Sequence, residues 1–520
     1  YSGAITLGSN TSITSAAGNQ IISGSVNGTY DLSISSSGTW IQSGEVGGAT
    51  SLTNYSLNAG ANNVTLSGGH QVAGPISIHG GDITLSANIS STLSGADILF
   101  KASENITVAA SISISTNGGD ISLWANSDGE LLSGGYITLN NTTSLDSRTQ
   151  SDRIANDGFS NDNSGGAITL GGGNTSATLD SGTLVPTGYA LKATNSQIGG
   201  IQFGTSINAG ISLTSGGGDI LLKGKSTDGD SSYYSESNGI LFYSGISIDA
   251  GSNGNITIDG QAENGKYNAG FYPSYTMGSD NSIIRTRNGH ISIKGESLGG
   301  SSSDGADRGI ILMGPNDPNA ALTIESSGTG NITLIGNAGT GDNADHDFFT
   351  QNTVNILAAS GNITLEGRGN GITQIYNYSI TMGSKASTNI TSSSSDIEIT
   401  DNELSIVGSG VNINTSGSAT IKPYEDDFSS NFTTSNITFS SDMTGLTIGK
   451  DANTSTNVTV DSNQTVAGPI SIYGEDITLS NSVTASGTLL LQGSGATTQS
   501  AAISATTLSL QGSGTFTLNN

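Results

Sequence analysis

The sequence predicts an all-β fold, a parallel β-helix (β-solenoid) with three short strands per coil and loop insertions at its corners. Three observations carry this. Residues 72–85 read VAGPISIHGGDITL and residues 466–479 read VAGPISIYGEDITL, differing only at His79/Tyr473 and Gly81/Glu475. Repetition of this kind marks a solenoid or an array. Weaker copies lie between them: GGDISL ending at Leu123, GGDILL at Leu222, GNITI at Ile258, GHISI at Ile293, and GNITL at Leu334 and Leu365. Each is a Gly-polar turn followed by a short run with period two, the pattern of a half-buried strand. Finally, 75 glycines with 7 prolines could signal disorder, but a charged fraction of 11% is too low for a chain kept soluble by charge.

Length agrees with a solenoid. A single globular core stops growing near roughly 250 to 300 residues, whereas stacked coils touch only their neighbours and lengthen without thickening. The pass along the chain gives four sections. Residues 1–145 read as short coils and 146–198 as an insertion or transition region. Residues 199–445 read as coils with long insertions, and 446–520 as short coils again. Helical periodicity is nearly missing throughout.

In the central section a three-strand unit can be aligned. Ile201-Gln202-Phe203, Ile211-Ser212-Leu213 and Ile220-Leu221-Leu222 form one unit; Ile240-Leu241-Phe242, Ile246-Ser247-Ile248 and Ile256-Thr257-Ile258 form the next. A later one runs Ile310-Ile311-Leu312, Leu322-Thr323-Ile324 and Ile332-Thr333-Leu334. The outer two side chains of I-T-L point into the coil and the central one to solvent. The Gly before the strand is expected to supply positive φ at the corner. Asp82, Asp120, Asp219, Asn255, Asn331, Asn362 and Asp476 are expected to close the turn with their own side chains. Spacing locates the insertions: Ile98 to Ile121 is one bare coil, while Ile220 to Ile256 and Ile291 to Ile332 are much longer. The extra residues fall in polar stretches at 225–238, 295–308 and 337–352, read as loops on one corner that form a binding face.

A formal charge of −27 excludes nucleic acid and anionic membrane as partners, since phosphate contacts need clustered Lys and Arg. A neutral glycan or a divalent cation suits the surface better. No apolar run approaches the roughly 20 residues of a membrane-spanning helix, so no membrane insertion is expected. The absence of Cys means that stability comes from ladders and stacked aliphatics. The opening YSGAITLGS carries neither an initiator Met nor a signal peptide, which reads as a processed form or an excerpt.

Candidate sites divide into four. Asn-X-Ser/Thr sequons include Asn10, Asn27, Asn54, Asn63, Asn88, Asn141, Asn174, Asn377 and Asn414, glycosylation candidates whose number owes much to composition and to the N-I-T cassette. Carboxylates cluster at Asp342, Asp345 and Asp347, at Glu425 to Asp427, at Asp228 and Asp230, and between Asp152 and Asp162. Calcium takes several oxygens at flexible geometry and is the one cofactor considered, with Asp342, Asp345 and Asp347 as its ligands; solvated loops are the competing reading. His346 among them reads as a surface histidine. Basic residues concentrate at Arg285, Arg287, His290, Lys294 and Arg308, where a polysaccharide-active enzyme would hold its site. No G-x-S-x-G, H-E-x-x-H or P-loop occurs, and no catalytic residue is assigned. Tyr233, Tyr234, Tyr267, Phe271, Tyr272 and Tyr275 fall in two neighbouring insertions and form either a binding patch or loop packing.

Runs such as SGNITLEG, GGDISLWANSDG, SGTLLLQGSG and ATTLSLQGSGTFTLNN resemble the repeat regions of large bacterial secreted exoproteins of the filamentous-haemagglutinin type and related β-strand-repeat adhesins. The resemblance spans nearly the whole chain and rests on repeat style. It implies a right-handed parallel β-helix, export to the cell surface, and a role in adhesion, biofilm or filament formation. Some such adhesins are glycosylated on sequons. The N-terminal secretion domain of two-partner exoproteins, with its Asn-Pro-Asn motifs, is not in this sequence, which leaves the export route open. The expectation is therefore a non-enzymatic extracellular structural protein at the cell surface, with copies of itself, head to tail, as partners alongside glycans or a host or neighbour cell surface. The alternative is a polysaccharide lyase or hydrolase near residues 285–308. Strand-like ends without caps suggest a segment of a longer solenoid or subunits that cover one another. Ice or mineral binding ranks last, because outward positions mix Ser, Thr, Lys and Gln.

Overall fold

The computed structural model describes the chain except residues 17, 156–160, 193–198, 206–209, 228–235, 264–266, 274–280, 299–305, 316–319, 340–345, 370–372, 378–387, 409 and 520, and the side chains of 236, 267, 306, 373–377, 407 and 408. Strands dominate, and the chain visits three sheets in turn. Ile76–Gly80, Ile83–Leu85 and Ile89–Ser94 make one coil; Ile98–Ala102, Ile106–Val108 and Ser113–Asn117 make the next. Each strand pairs in parallel with its counterpart one coil on, Ile76 with Ile98, Ile83 with Ile106 and Ile89 with Ile114. This is a three-faced parallel β-solenoid.

Two compact units, Tyr1–Gly289 and His290–Asn520, divide the chain. In the first, the first sheet climbs from Thr11–Ser15 to Ile256–Ala262, the second from Gln20–Ile22 to Tyr267–Pro273, and the third from His70–Val72 to Ser282–Thr286. In the second unit the same cycle begins with Ile291–Ser297, Ala306–Met313 and Leu322–Ser326. The units read from the sequence are coils in true register. Ile201 faces Ile240, Ile211 faces Ile246 and Ile220 faces Ile256. The spacings hold too: Ile98 pairs with Ile121, Ile220 with Ile256 and Ile291 with Ile332, one coil each despite the insertions.

Stacking explains the core. Ile76, Ile98, Ile121, Ile168, Ile220 and Ile256 form one inward column, none more than 1% exposed. Burying such a side chain is worth about 1.5–3 kcal/mol over leaving it in water. A second inward ladder is aromatic. Phe203 meets Phe242 edge to face at 4.8 Å, and Phe242 meets Phe271 likewise at 5.2 Å.

Two expectations about the corners need correcting. In the Gly-Gly-Asp cassettes the Gly next to the Asp does not supply positive φ; where one occurs it lies a residue earlier, as at Gly118 (φ 80) and Gly217 (φ 108). Coil-on-coil contact is what demands glycine. A Cβ on Gly254 would sit 2.1 Å from the Gly218 carbonyl oxygen, and one on Gly289 would sit 1.9 Å from that of Gly254. Likewise the corner Asp and Asn residues do not close their own turns. Each lends Oδ1 to the main-chain N–H of its counterpart one coil on: Asn63 to Asp82 at 3.1 Å, Asp82 to Asn105 at 3.3 Å, Asn105 to Tyr136 at 3.0 Å. The same holds for Asp219 with Asn255 and, in the second unit, for Asn331 with Asn362. These residues are structural, as expected, but they tie coils together.

The insertions at 225–238, 295–308 and 337–352 all fall at the corner between the first and second sheets, as the loop reading expected. Their flanks are not loop. Strands of both sheets run past the coil and close face to face on small side chains. In the first unit Ser226, Ala262 and Ser237 are fully buried there, with Ser237 Oγ donating to Ser226 Oγ at 2.6 Å. A Cβ on Gly260 would lie 2.0 Å from the Gly270 oxygen; in the second unit one on Gly295 would lie 2.1 Å from that of Gly309. Two sheets approach this closely only where side chains are nearly absent.

Residues 146–198 carry two additions. A short helix, Gln150–Ala155, follows the strand Ser144–Asp146. A hairpin then folds Ile168–Thr178 against Leu184–Gly188 in antiparallel register. Its tip reaches back over the outer side of the first sheet, where Ser181 Oγ donates to Asp120 and Thr183 Oγ1 to Asp97.

Candidate functional site

The densest charged group among the described residues lies on the outer face of the third sheet in the first unit. Register places Asp146, Thr214, Asp249 and Arg285 in one column along successive coils. The chain leaving Asp146 turns back so that Arg148 grips its carboxylate twice, Nε to Oδ1 at 3.1 Å and an amino group to Oδ2 at 3.0 Å, while Arg153 Nε reaches Oδ2 at 2.9 Å. Arg148 also reaches Asp162 at 3.4 Å. Arg285 donates from Nε and an amino group to Asp249 Oδ2 at 3.0 and 2.9 Å. Burial pushes the Asp146 carboxyl up, but the hydrogen bonds from Arg148 and Arg153 outweigh it and hold the group below its ordinary range. Asp162 moves the other way: burial raises it, and Arg148 offsets only part of that.

Two carboxylates displaced in opposite directions are the usual sign of an acid and base pair. Here the two arginines account for Asp146 and burial accounts for Asp162. Asp146 is held by two guanidiniums and Asp249 by one, so the network fastens the helical insertion and the strand column to each other. Sequence reading marked Asp152 to Asp162 as a carboxylate loop and missed the arginines. The signal was present in Asp146 and Arg148, two apart on an extended segment and so on the same side.

The basic residues at 285–308 divide between the two units. Arg285 and Arg287 belong to the first unit, and His290, Lys294 and Arg308 to the second. Arg285 is committed to Asp249, His290 Nδ1 accepts the Asn331 N–H at 3.0 Å, and Lys294 pairs with Glu296 at 3.1 Å. Arg308 lies cross-strand from His346, with its guanidinium 5.3 Å from the Phe349 ring centre. His346 itself is 7% exposed, with its ring centre 5.5 Å from that of Phe349, so it is not the surface histidine expected.

Of the aromatic candidates, Phe271 is an inward core residue with no exposure, out of reach of any ligand. Tyr272 faces outward yet is 7% exposed, in a column with Thr138, Gln202 and Leu241 that is buried along its length. The side chain of Tyr267, and Tyr233, Tyr234 and Tyr275, lie outside the described residues. So do Asp342 and Asp345. Asp347 is 1% exposed, and its carboxylate accepts the N–H groups of Ala338 at 2.6 Å and Gly369 at 2.9 Å. Among the described residues no three His, Asp or Glu side chains come together as a metal site.

Among the sequons, Asn10, Asn63, Asn88, Asn174 and Asn414 are exposed and Asn27, Asn54 and Asn141 half-buried; the Asn377 side chain lies outside the described residues. Asn63 and Asn88 lend Oδ1 to the next coil at 3.1 and 2.9 Å, a use that leaves the amide nitrogen to a glycan. The amide nitrogens of Asn10 and Asn54 instead donate to Asp31 at 2.9 and 2.7 Å. Asn27 and Asn141 lend Oδ1 to the N–H groups of Ala49 and Thr205, both at 2.9 Å.

What the solenoid offers outward is repetition. Thr65, Thr84 and Thr107 stand in register on the second sheet of the first unit. In the second unit Thr433, Thr459, Thr478, Thr498 and Thr517 do the same. Locally, then, the outward positions are uniform, where a mixture was expected. At the roughly 4.8 Å strand spacing these are regular single-file rows of hydroxyl and methyl groups.

A scan against models of known protein families gives no match, and comparisons with curated proteins and with solved structures give none either. The fold therefore defines a class, the three-faced parallel β-solenoid, and function has to be argued from the residues.

Proposed function

We propose that this chain is a non-enzymatic extracellular structural protein, an adhesin stalk or filament-forming subunit displayed at a bacterial-type cell surface. The supporting observation is the strict coil-to-coil register, in which Ile stacks on Ile and corner Asx on corner Asx, while outward positions form polar rows such as Thr433 to Thr517. Such rows suit many weak contacts to a repeating partner, for which a glycan-covered cell surface and neutral polysaccharide are the fitting chemistry; strong negative charge disfavours phosphate-rich partners. Copies of the same chain are the second kind of partner. Parallel ladders add strands only along their own axis, so association of this kind is head to tail and builds filaments. The resemblance to exoprotein repeat regions points the same way.

Adhesion is measured with beads carrying the purified chain against glycan-coated and bare surfaces, and assembly by imaging the chain at rising concentration. Retention on at least one glycan surface, or filaments, is expected. The alternative, a polysaccharide lyase or hydrolase near residues 285–308, is tested on a panel of acidic and neutral polysaccharides. Turnover abolished by Arg287→Ala overturns the structural reading.

A further inference from the structure

Cysteine is absent, so a covalent tie between coils would need other chemistry, and one cluster in the second unit holds the atoms for it. Lys294 and Glu296 are alternate outward residues of Ile291–Ser297, and Asn337 ends the next strand of the same sheet, Ile332–Asn337. Parallel pairing sets Glu296 opposite Asn337 and Lys294 opposite Ile335. Lys294 and Asn337 are then diagonal neighbours, about 7–8 Å apart at the backbone and within reach of a long side chain. The Glu296 carboxylate joins them. Oε2 accepts from Lys294 Nζ at 3.1 Å, and Oε1 accepts from Asn337 Nδ2 at 3.1 Å. Only 17% of the Glu296 side chain and 37% of that of Lys294 is exposed, and half-buried Ile335 flanks the lysine. One carboxylate thus contacts both a primary amine and the leaving nitrogen of a primary amide, the placement that proton transfer between them requires.

We infer that Lys294 and Asn337 become joined by an isopeptide bond, with Glu296 as the proton carrier. Glu296 takes a proton from the Lys294 ammonium. The freed Nζ lone pair attacks Asn337 Cγ, forming the new C–N bond and a tetrahedral adduct. As the adduct collapses the Cγ–Nδ2 bond breaks; Glu296 returns its proton to the departing nitrogen, then takes the second proton from Nζ and passes it to the released ammonia. Ammonium leaves, Glu296 ends as it began, and nothing is oxidised or reduced. Holding amine, amide and carboxylate together makes a slow bimolecular reaction intramolecular. The product staples one coil to the next across an insertion and closes the intervening loop covalently, as a disulfide would.

The test is the intact mass of the purified full-length chain, followed by proteolysis and peptide sequencing by mass spectrometry. A mass below that of the sequence by one ammonia is expected, with a branched peptide carrying Lys294 joined to Asn337. Glu296→Gln, which keeps the shape but not the base, and Lys294→Arg, which keeps the charge but not the amine, should restore the full mass with an unchanged circular dichroism spectrum. A wild-type chain at full sequence mass overturns the inference. So does an ammonia loss that maps to a cyclised Asn-Gly pair such as Asn288-Gly289, or one that persists in Glu296→Gln. If neither variant folds, the branched peptide in the wild-type digest decides alone.

Discussion

His70 points inward from the strand His70–Val72 and is 2% exposed, with its ring 5.2 Å from that of Tyr55. Its Nδ1 lies 2.8 Å from the Gly68 carbonyl, a contact that places the proton on Nδ1, and Nε2 has no hydrogen-bond partner among the described residues. Burial lowers its pKa to about 4, against the weaker opposing pull of the Gly68 contact. Unfolding returns it to the usual value of 6.5. The unfolded chain therefore binds more protons between these two values, and stability is full above 6.5 and falls as pH drops toward 4. The loss is about 3 kcal/mol at its limit. Thermal unfolding of wild type and His70→Leu should converge in behaviour above neutrality and diverge at pH 4 to 5, with the variant less acid-sensitive. Identical acid sensitivity in the two would refute this placement of the ring.

At the scale of the strand, alternation decides tolerance. Ile332 and Leu334 are fully buried and Thr333 half-buried. Ile332→Asp or Leu334→Asp should cost about 4 kcal/mol, because an unpaired charge enters an aliphatic stack. Thr333→Asp should stay within about 1 kcal/mol. Denaturant unfolding of the three variants checks this; equal effects contradict the inward and outward assignment. The corners follow a different rule. Gly254→Ala forces a methyl group to 2.1 Å from a neighbouring carbonyl and should cost about 3 kcal/mol, whereas Gly210→Ala meets nothing within 4 Å among the described residues and should be nearly neutral. Hydrogen exchange should show the Gly254 damage in the strands next to it and leave Leu32–Ser36, at the far end of the same unit, protected, because each coil supports only its neighbours.

At the scale of the whole chain, 42 acidic residues against 15 basic ones leave a self-repelling charge of −27. Salt shortens the reach of that repulsion from roughly 30 Å at 0.01 M to 8 Å at 0.15 M. Calorimetry should therefore show a higher melting temperature at the higher salt, by about 1 °C for each kcal/mol of repulsion relieved. An unchanged or lower melting temperature would show that the ion pairs around Asp146 and Asp249, which salt weakens, outweigh the net charge.

The sequence by itself determined the strands, their alternation and the coil register, because the requirement that Ile stack on Ile writes itself into I-T-L cassettes that survive insertions of any length. It also marked the corner where the insertions leave. Only the tertiary structure decided what the corners do. Gly254 and Asn105 are each chosen by an atom one coil away, and no local pattern distinguishes a glycine that must turn from one that must let a carbonyl pass. The same holds for the sites. Phe271 and His346 look like loop residues in sequence, yet the strands extend past the coil and carry them inside. Arg148, Arg153 and Asp146 are close in sequence, but their meaning comes from the Asp249–Arg285 pair further along the same column, which chain folding alone brings beside them.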